Sequence, residues 1–163
     1  MERNILWASR GELPAGWPLM GHTHPYYHLF FILKGKAVFL LDHRPYAVSA
    51  GDCLVVPPNV WHEVCAEEHT LLDSYEIKFT LSPPLQQMAQ EAGVLVRRAP
   101  DYVGKSVQYI VYNWARRDLI SFSHMDHILH AMVMSLYLEP RMAGEQVSSF
   151  VETEDYSPLV QRI

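Results

Sequence analysis

Cysteine is scarce in this chain of 163 residues, which has only Cys53 and Cys65. Two thiols without CxxC spacing provide neither a disulfide framework nor a structural zinc site, so we expect both to be reduced. Basic residues are also few, because 13 Lys and Arg stand against 18 Asp and Glu, for a net charge of −5. A chain this acidic has no general attraction for phosphate backbones, and by itself it is not expected to bind nucleic acid.

Long apolar runs are absent as well. The apolar run from Leu29 to Leu33 has the length of a strand, not of a membrane span, and the N-terminus lacks the apolar stretch of a signal peptide. We therefore expect a soluble, cytoplasmic protein with no membrane partner. Its length predicts a single domain with one core.

Short apolar runs separated by turn residues fill the chain from residue 27 to 80. Leu29–Leu33 and Ala37–Leu41 flank a Lys-Gly-Lys turn, and together they predict a hairpin. Further short runs end at Gly, Pro, Asp or Asn. This pattern predicts a mainly β antiparallel sandwich or barrel over about residues 5–80, with a last strand near 94–97.

After residue 80 the apolar spacing becomes helical. It predicts helices at about 85–92, 101–118 and 124–139, the last capped by Ser123 and stopped by Pro140. The last helix is apolar over most of its girth, which favours packing on two sides, against its own domain and against a second copy. The residues that we assign to a homodimer contact are Val107, Trp114, Ile128, Met132 and Leu136.

Residues 141–163 lack a regular period and are predicted to form a linker. Their last part, Ser157-Pro158-Leu159-Val160, has a serine cap and a proline at the first helical position, as at the start of a helix. A helix that begins so close to Ile163 leads us to expect that the native protein is longer. Residues 1–140 would then be the domain itself.

Four histidines are the strongest chemical signal. His22, His24 and His28 share one face of an extended segment, and His62 follows a strand that can run back beside it. Gathered together, the four imidazoles form either a transition-metal site or a polar pocket without metal, and the spacing leaves both open.

Aromatic side chains accompany these histidines and are either barrel core or platforms that stack on a sugar ring. The ligand-binding prediction comprises Tyr26, Phe30, Trp61 and Tyr75. A second histidine series, on the last predicted helix, is interpreted as a wet or interface stripe, because its third member is rotated off the face; it consists of His124, His127 and His130. No Ser-His-Asp order, HExxH motif or phosphate-binding loop occurs, so no catalytic residue is assigned.

The histidine spacing resembles the two motifs of the cupin superfamily. In the first, His22-Thr23-His24 is followed after three residues by His28, at the position usually held by Glu, and after six more by Gly35. In the second, Gly51 precedes Pro57-Pro58-Asn59 and His62. The resemblance implies a double-stranded β-helix, or jelly-roll, barrel in which these four histidines bind a divalent metal. Because His28 replaces the carboxylate, an all-nitrogen set favours Zn, Ni or Cu over Fe.

A narrower resemblance concerns the whole chain. The strings Tyr27 to Gly35, Tyr46 to Asp52 and Pro57 to His62, followed by helices, a polar linker and a helix start, resemble the N-terminal sensor domain of AraC-family transcription regulators. The resemblance implies a small-molecule effector, a homodimer through the helices, and DNA contact only through a helix-turn-helix domain that this chain does not contain. The alternative is a metal-dependent cupin isomerase or oxygenase, for which Glu63 and Glu76 are the available carboxylates.

Overall fold

The structure is a computed structural model that describes residues 3–116 and 118–143, with the backbone alone for 140–143. Most of the predicted linker and the whole helix start at Ser157 lie outside the described residues. The elements, in chain order, are β1 (Ile5–Leu13), β2 (Pro18–His22), β3 (Tyr27–Lys34), β4 (Lys36–Leu41), β5 (Arg44–Ser49), β6 (Asp52–Val56), β7 (His62–Ala66), β8 (Leu72–Phe79), α1 (Pro83–Ala92), β9 (Leu95–Arg98), α2 (Asp101–Asn113) and α3 (Leu119–Ala143).

The strands form two antiparallel sheets. The five-stranded sheet has the order β1-β8-β3-β6-β9, and the four-stranded sheet has the order β2-β7-β4-β5. This arrangement, followed by helices, confirms the predicted mainly β jelly-roll barrel and its C-terminal helices. The predicted last strand near 94–97 is β9, which pairs with β6 at the edge of the larger sheet.

Each face of the five-stranded sheet is buried, but against different partners. Side chains such as Phe30 and Leu54 face the four-stranded sheet and fill the barrel interior. Their neighbours along the same strands, such as Leu29 and Cys53, pack against the helices instead. Because successive side chains in a strand point to opposite faces, the alternation in the sequence builds two cores, one inside the barrel and one under the helices.

The predicted hairpin of Leu29–Leu33 and Ala37–Leu41 is wrong. β3 pairs with β6 and β8, whereas β4 pairs with β5 and β7, so the two strands belong to different sheets. Between them Gly35 has a φ of 87°, and a Cβ at this position would overlap the carbonyl of Leu71. Glycine here therefore serves a corner at which the chain changes sheets rather than a hairpin turn.

The helices occupy the predicted regions with different ends. α3 begins at Leu119 because Asp118, not Ser123, is its cap: the Asp118 carboxylate accepts hydrogen bonds from the backbone amide and the hydroxyl of Ser121, at 2.8 and 2.7 Å. The predicted stop at Pro140 is also wrong, since α3 continues to Ala143. None of the helices in the described residues combines the length and the hydropathy that a membrane span requires.

The residues that were assigned to a dimer contact face inward. Val107, Met132 and Leu136 are buried in the core between the helices and the five-stranded sheet, and Trp114 and Ile128 pack against that core. The side chains of the first three are thus unavailable to a second copy, and their assignment is corrected. The apolar girth of α3 arises because the helix packs against α1, α2 and β1 of its own chain.

Candidate metal centre

Two strand ends bring the first histidines together at one end of the barrel. His22 ends β2, His62 begins β7, and the two residues are Cα partners in the sheet. Their ring centroids are 4.3 Å apart, and that of His24 lies 4.7 Å from His62 and 5.8 Å from His22. One ring nitrogen of each of these three residues lies within 4.8 Å of the others. We call this set the three-histidine group.

The loop before β7 holds the group in place. Asn59 has a φ of 63°, in the left-handed region, and its backbone amide donates to the carbonyl of His24 at 2.8 Å. Trp61, next to His62, donates its amide to the Asp42 carboxylate at 3.0 Å and accepts from the Asp42 amide at 2.8 Å. Asparagine tolerates a left-handed backbone, so Asn59 can occupy this turn.

Each ring of the three-histidine group is oriented in the same way. In all three, Nδ1 lies within hydrogen-bond distance of a backbone carbonyl, and a carbonyl can only accept, so Nδ1 carries the proton. The pairs are His22 with Met20 at 3.0 Å, His24 with Tyr26 at 2.8 Å and His62 with Val60 at 3.0 Å. This leaves Nε2 as a bare lone pair, and the Nε2 atoms of His24 and His62 are buried with no hydrogen-bond partner within residues 3–116 and 118–143.

Burial keeps two of these imidazoles, those of His24 and His62, neutral. His24 is 7% and His62 is 0% exposed. Desolvation by this burial is the main cause, and nearby histidines a smaller one, that lowers the pKa of both side chains from 6.5 to about 4. At neutral pH each therefore presents a lone pair and no charge, which is the form in which histidine binds metal ions.

The three-histidine group thus fits a metal ion by its donors. Neutral imidazole nitrogens suit Zn, Ni and Cu, and a second hydrogen bond from each ring to a backbone carbonyl is the usual support of a ligating histidine. Two buried Nε2 atoms without a partner among the described residues are costly, and a metal ion bound by both would account for them. The structure confirms that His22, His24 and His62 come close enough to bind one metal ion.

His28, the fourth predicted ligand, does not join the group. Its ring centroid is 5.4 Å from that of His24 and 6.2 Å from that of His62. Its Nε2 instead lies 3.2 Å from a carboxylate oxygen of Glu76 on β8, while its Nδ1 is buried without a partner. Desolvation lowers the pKa of His28, and Glu76 opposes this effect. His28 is therefore outside the set of ring nitrogens that lie within 4.8 Å of one another, and this geometry does not support it as a fourth ligand.

Two neighbours fix the position of the Glu76 carboxylate. Its other carboxylate oxygen accepts a hydrogen bond from the Ser74 hydroxyl at 3.2 Å. On the neighbouring strand β1, a Cβ at Gly11 would overlap that same oxygen, so the missing side chain makes room for the carboxylate. The alternation of side chains along β8 indicates that Glu76 points into the barrel, because Ser74 and Glu76 share the face of Leu72, which lies in the barrel core. The sequence shows this only once the partner strands are known.

The four aromatic residues predicted to bind ligand fall in three places. Tyr26 stacks on His24, with ring centroids 4.1 Å apart, and Phe30 lies buried beside His28. Trp61 is partly exposed and stacks on His43 outside the three-histidine group. Tyr75 is on the opposite face of the sheet, where its hydroxyl donates to that of Tyr112, so its assignment to this site is wrong.

The remaining chemical candidates lie elsewhere. Glu63 follows His62 directly in β7, so it points to the opposite face of the strand. The Nδ1 atoms of the helix histidines bond within the helical layer: that of His124 to the Tyr109 hydroxyl, and those of His127 and His130 to backbone carbonyls four residues earlier. Within the described residues, the three-histidine group is the one set of His, Cys, Asp and Glu close enough to share an ion.

Comparison with solved structures finds partial likenesses. A cupin protein from Bacteroides fragilis is 24% identical over 47% of this chain and 66% of its own, with a TM-score of 0.44. An RmlC-like cupin from Shewanella frigidimarina is 18% identical over 52% and 73%, with a TM-score of 0.44. A DMSP lyase from Ruegeria pomeroyi is 25% identical over 48% and 39%, with a TM-score of 0.44. Because these TM-scores are below 0.5, the activities of those proteins are not transferred to this chain.

A search of curated proteins finds no significant match to the sequence. The family model of the cupin domain does match, over residues 10–72. That segment begins in β1, ends in β8 and contains the whole three-histidine group. Residues 10–72 are therefore similar to the cupin domain, in a match that contains the three-histidine group but covers less than half of the chain.

Proposed function

We propose that this chain is the effector-binding and dimerisation domain of an AraC-type transcription regulator. In this proposal the barrel mouth binds a small molecule at a metal ion held by His22, His24 and His62. The observation that carries the metal-dependent part is the convergence of three imidazoles within 4.8 Å, with Nδ1 of each committed to a backbone carbonyl. A metal ion bound there would supply a Lewis-acidic position for an oxygen atom of the ligand.

The residues around the group shape the space in which such a molecule is held. Tyr26 covers one side of His24, and Trp61 lies where a side chain at Gly21 would otherwise stand. Both rings are partly exposed, so they border the site without closing it. Aromatic faces beside a polar centre suit the apolar face of a sugar or another small polyhydroxylated molecule.

The regulatory part of the proposal is supported by sequence. The AraC-like strings between Tyr27 and His62 fall on β3 to β7 of the cupin barrel, and the helices follow the barrel in the expected order. A sensor domain acts by binding its ligand more tightly in one arrangement of the regulator than in another. DNA contact would belong to a domain outside this chain, which agrees with the net charge of −5.

A homodimer would use the outer faces of the helices, since the inner faces are buried. Met134 and Leu138, one turn apart on α3, are 41% and 40% exposed and share a face, and Ile120 at the start of the helix is 84% exposed. Light scattering should give the mass of a dimer, and Met134→Glu combined with Leu138→Glu should shift it to a monomer. The exposed change Gln87→Glu on α1 is the control. A wild-type protein that stays monomeric at high concentration would contradict the dimer.

Metal content tests the first part of the proposal. Untagged protein purified without chelator should contain about one transition-metal ion per chain by mass spectrometry, and His24→Ala should contain less than a tenth of it. His127→Ala, which removes a histidine outside the group, should retain the metal. Equal metal content in wild type and His24→Ala would refute the three-histidine group as a metal centre.

A metal-dependent cupin enzyme is the second candidate function. The observation that favours it is the buried pair of His28 and Glu76 beside the three-histidine group, because an acid or base next to an open metal position is what such enzymes require. A panel of sugars and hydroxy acids incubated with zinc-loaded protein separates the two proposals. Recovery of every compound unchanged, with one of them raising the melting temperature, supports the sensor. Turnover that Glu76→Gln abolishes supports the enzyme.

A further inference from the structure

The ring proton of His28, which forms a buried pair with Glu76, lies on a different nitrogen from the ring protons of the three-histidine group. A carboxylate has no hydrogen to donate, so the contact at 3.2 Å places the single proton of a neutral His28 on Nε2. In the three-histidine group the proton is on Nδ1 instead. His28 therefore presents its lone pair at the opposite ring nitrogen, Nδ1.

That lone pair has no partner in the part of the chain that the structure describes. His28 is 4% exposed, and its Nδ1 is buried with no hydrogen bond among the described residues. A buried acceptor without a partner destabilises the folded chain, so a donor on a bound molecule would be favoured at this position. The ring lies next to those of His24, Phe30 and His62, so a molecule at the three-histidine group would be within reach of this acceptor.

The carboxylate that sets the position of this proton is itself built into the fold. Ser74 donates to Glu76, and the absence of a side chain at Gly11 leaves room for the carboxylate on the neighbouring strand. These two contacts lie on the far side of Glu76 from His28. They hold the carboxylate in its contact with Nε2.

We propose that His28 selects the ligand, accepting at Nδ1 a hydrogen bond from a hydroxyl group next to the oxygen that binds the metal. The ligand class is thus α-hydroxy acids and vicinal diols, as opposed to ethers or simple carboxylates of the same size. Glu76 is a positioning residue that holds His28 in the accepting tautomer. This inference rests on the proposed metal-dependent binding at the barrel mouth.

The tautomers can be measured without metal or ligand. Long-range proton–nitrogen NMR spectra of the histidine rings should show Nε2–H for His28 and Nδ1–H for His24 and His62, with His28→Phe used to assign the signal. In Glu76→Gln the amide can donate as well as accept, so the His28 signal should move towards the other tautomer. A wild-type His28 protonated at Nδ1 would overturn the inference.

Binding of matched probes tests selection. Glycolate and methoxyacetate offer zinc the same pair of oxygens, but only glycolate has a hydroxyl to donate. Zinc-loaded wild type should bind glycolate roughly tenfold more tightly by calorimetry, as expected for one buried hydrogen bond. The ratio should fall to about one in His28→Phe. It should also fall in Gly11→Ala, which displaces the Glu76 carboxylate, and persist in the control Glu12→Gln, an exposed carboxylate on β1.

The possible failures are distinguishable. No zinc binding by wild type would refute the proposed function, whatever the tautomers are. Zinc binding with equal affinity for both probes would refute the selection by His28 alone. A loss of zinc affinity in His28→Phe as large as the loss in His24→Ala would make His28 a ligand and would also overturn the inference.

Discussion

Replacing His62 by phenylalanine should reverse the order of stability of two proteins when zinc is added. His62 is fully buried, its Nδ1 donates to the Val60 carbonyl at 3.0 Å, and its Nε2 has no partner. Without metal, the unpaired Nε2 lowers the free energy of unfolding of the wild type by about 1 to 3 kcal/mol. Loss of the bond to Val60 costs the variant about 1 kcal/mol. The variant should therefore be as stable as the wild type or up to about 2 kcal/mol more stable.

With zinc, the order should change. A ligand that binds only the folded chain stabilises it by about 2.7 kcal/mol at a free concentration of one hundred times its dissociation constant. The wild type should gain this amount, whereas the variant, which lacks one of the three nitrogens, should gain little. Urea unfolding with and without zinc, followed by circular dichroism, measures both free energies of unfolding.

His127→Phe is the matched control, because it makes the same change in an exposed histidine of α3. It should leave the response to zinc unchanged. The reasoning would be refuted if His62→Phe lost more than about 2 kcal/mol without metal, since the unpaired nitrogen would then carry no cost. Equal stabilisation of both proteins by zinc would refute the role of His62 in the site.

Three further predictions concern the fold around the site. In metal-free protein, His24 and His62 have a pKa of about 4 when folded and 6.5 in the unfolded chain, so the unfolded chain binds more protons between these values. The free energy of unfolding should therefore fall as the pH is lowered from 6.5 to 4 in urea titrations, by at most about 3 kcal/mol per histidine; a flat profile would contradict the lowered pKa values. Gly21→Ala places a Cβ against the Trp61 indole. It should shift the NMR signal of the indole and lower the free energy of unfolding in urea by about 1 to 3 kcal/mol. An unchanged indole signal would contradict the contact. Asp126→Ala removes the carboxylate on α3 that accepts hydrogen bonds from the backbone amides of Asn4 and Ile5, at 3.3 and 3.2 Å. The change should lower the free energy of unfolding by about 1 to 3 kcal/mol and speed hydrogen exchange at those two amides. Unchanged exchange would contradict this role of Asp126.

The strand pattern could be predicted because it depends on local alternation, but the pairing of strands could not. The turn at Gly35 has the composition of a hairpin turn, and nothing near it in sequence indicates that β3 and β4 belong to different sheets. Only the contact of Gly35 with the Leu71 backbone, 36 positions along the chain, explains the corner. Long-range contacts of this kind leave no periodic signal.

The face of each apolar residue was unpredictable for the same reason. Tyr75 has the aromatic chemistry of a ligand platform, but its strand presents it to the helices. On α3, the spacing shows an apolar surface on several sides without saying which sides meet the same chain. The structure assigns Met132 and Leu136 to the inside and leaves Met134 and Leu138 exposed.

The three-histidine group could be predicted because both motifs place its members at strand ends that meet. The environment of His28 could not, because its partner Glu76 is 48 positions away. The motif resemblance alone implied four nitrogen ligands. In the structure His28 lies outside the three-histidine group. It contacts instead the carboxylate of Glu76, which lies on β8.

This arrangement has a consequence for the charge of the ligand. Three neutral imidazoles would leave the two positive charges of a divalent ion without a coordinating anion, so an anionic oxygen is the favoured fourth ligand. The Glu76 carboxylate is committed to His28 and Ser74 at 3.2 Å each, which keeps it from serving as that anion. A molecule that joins a carboxylate to a neighbouring hydroxyl satisfies both the ion and the lone pair of His28. Among the classes that the site admits, α-hydroxy acids should therefore bind more tightly than neutral diols.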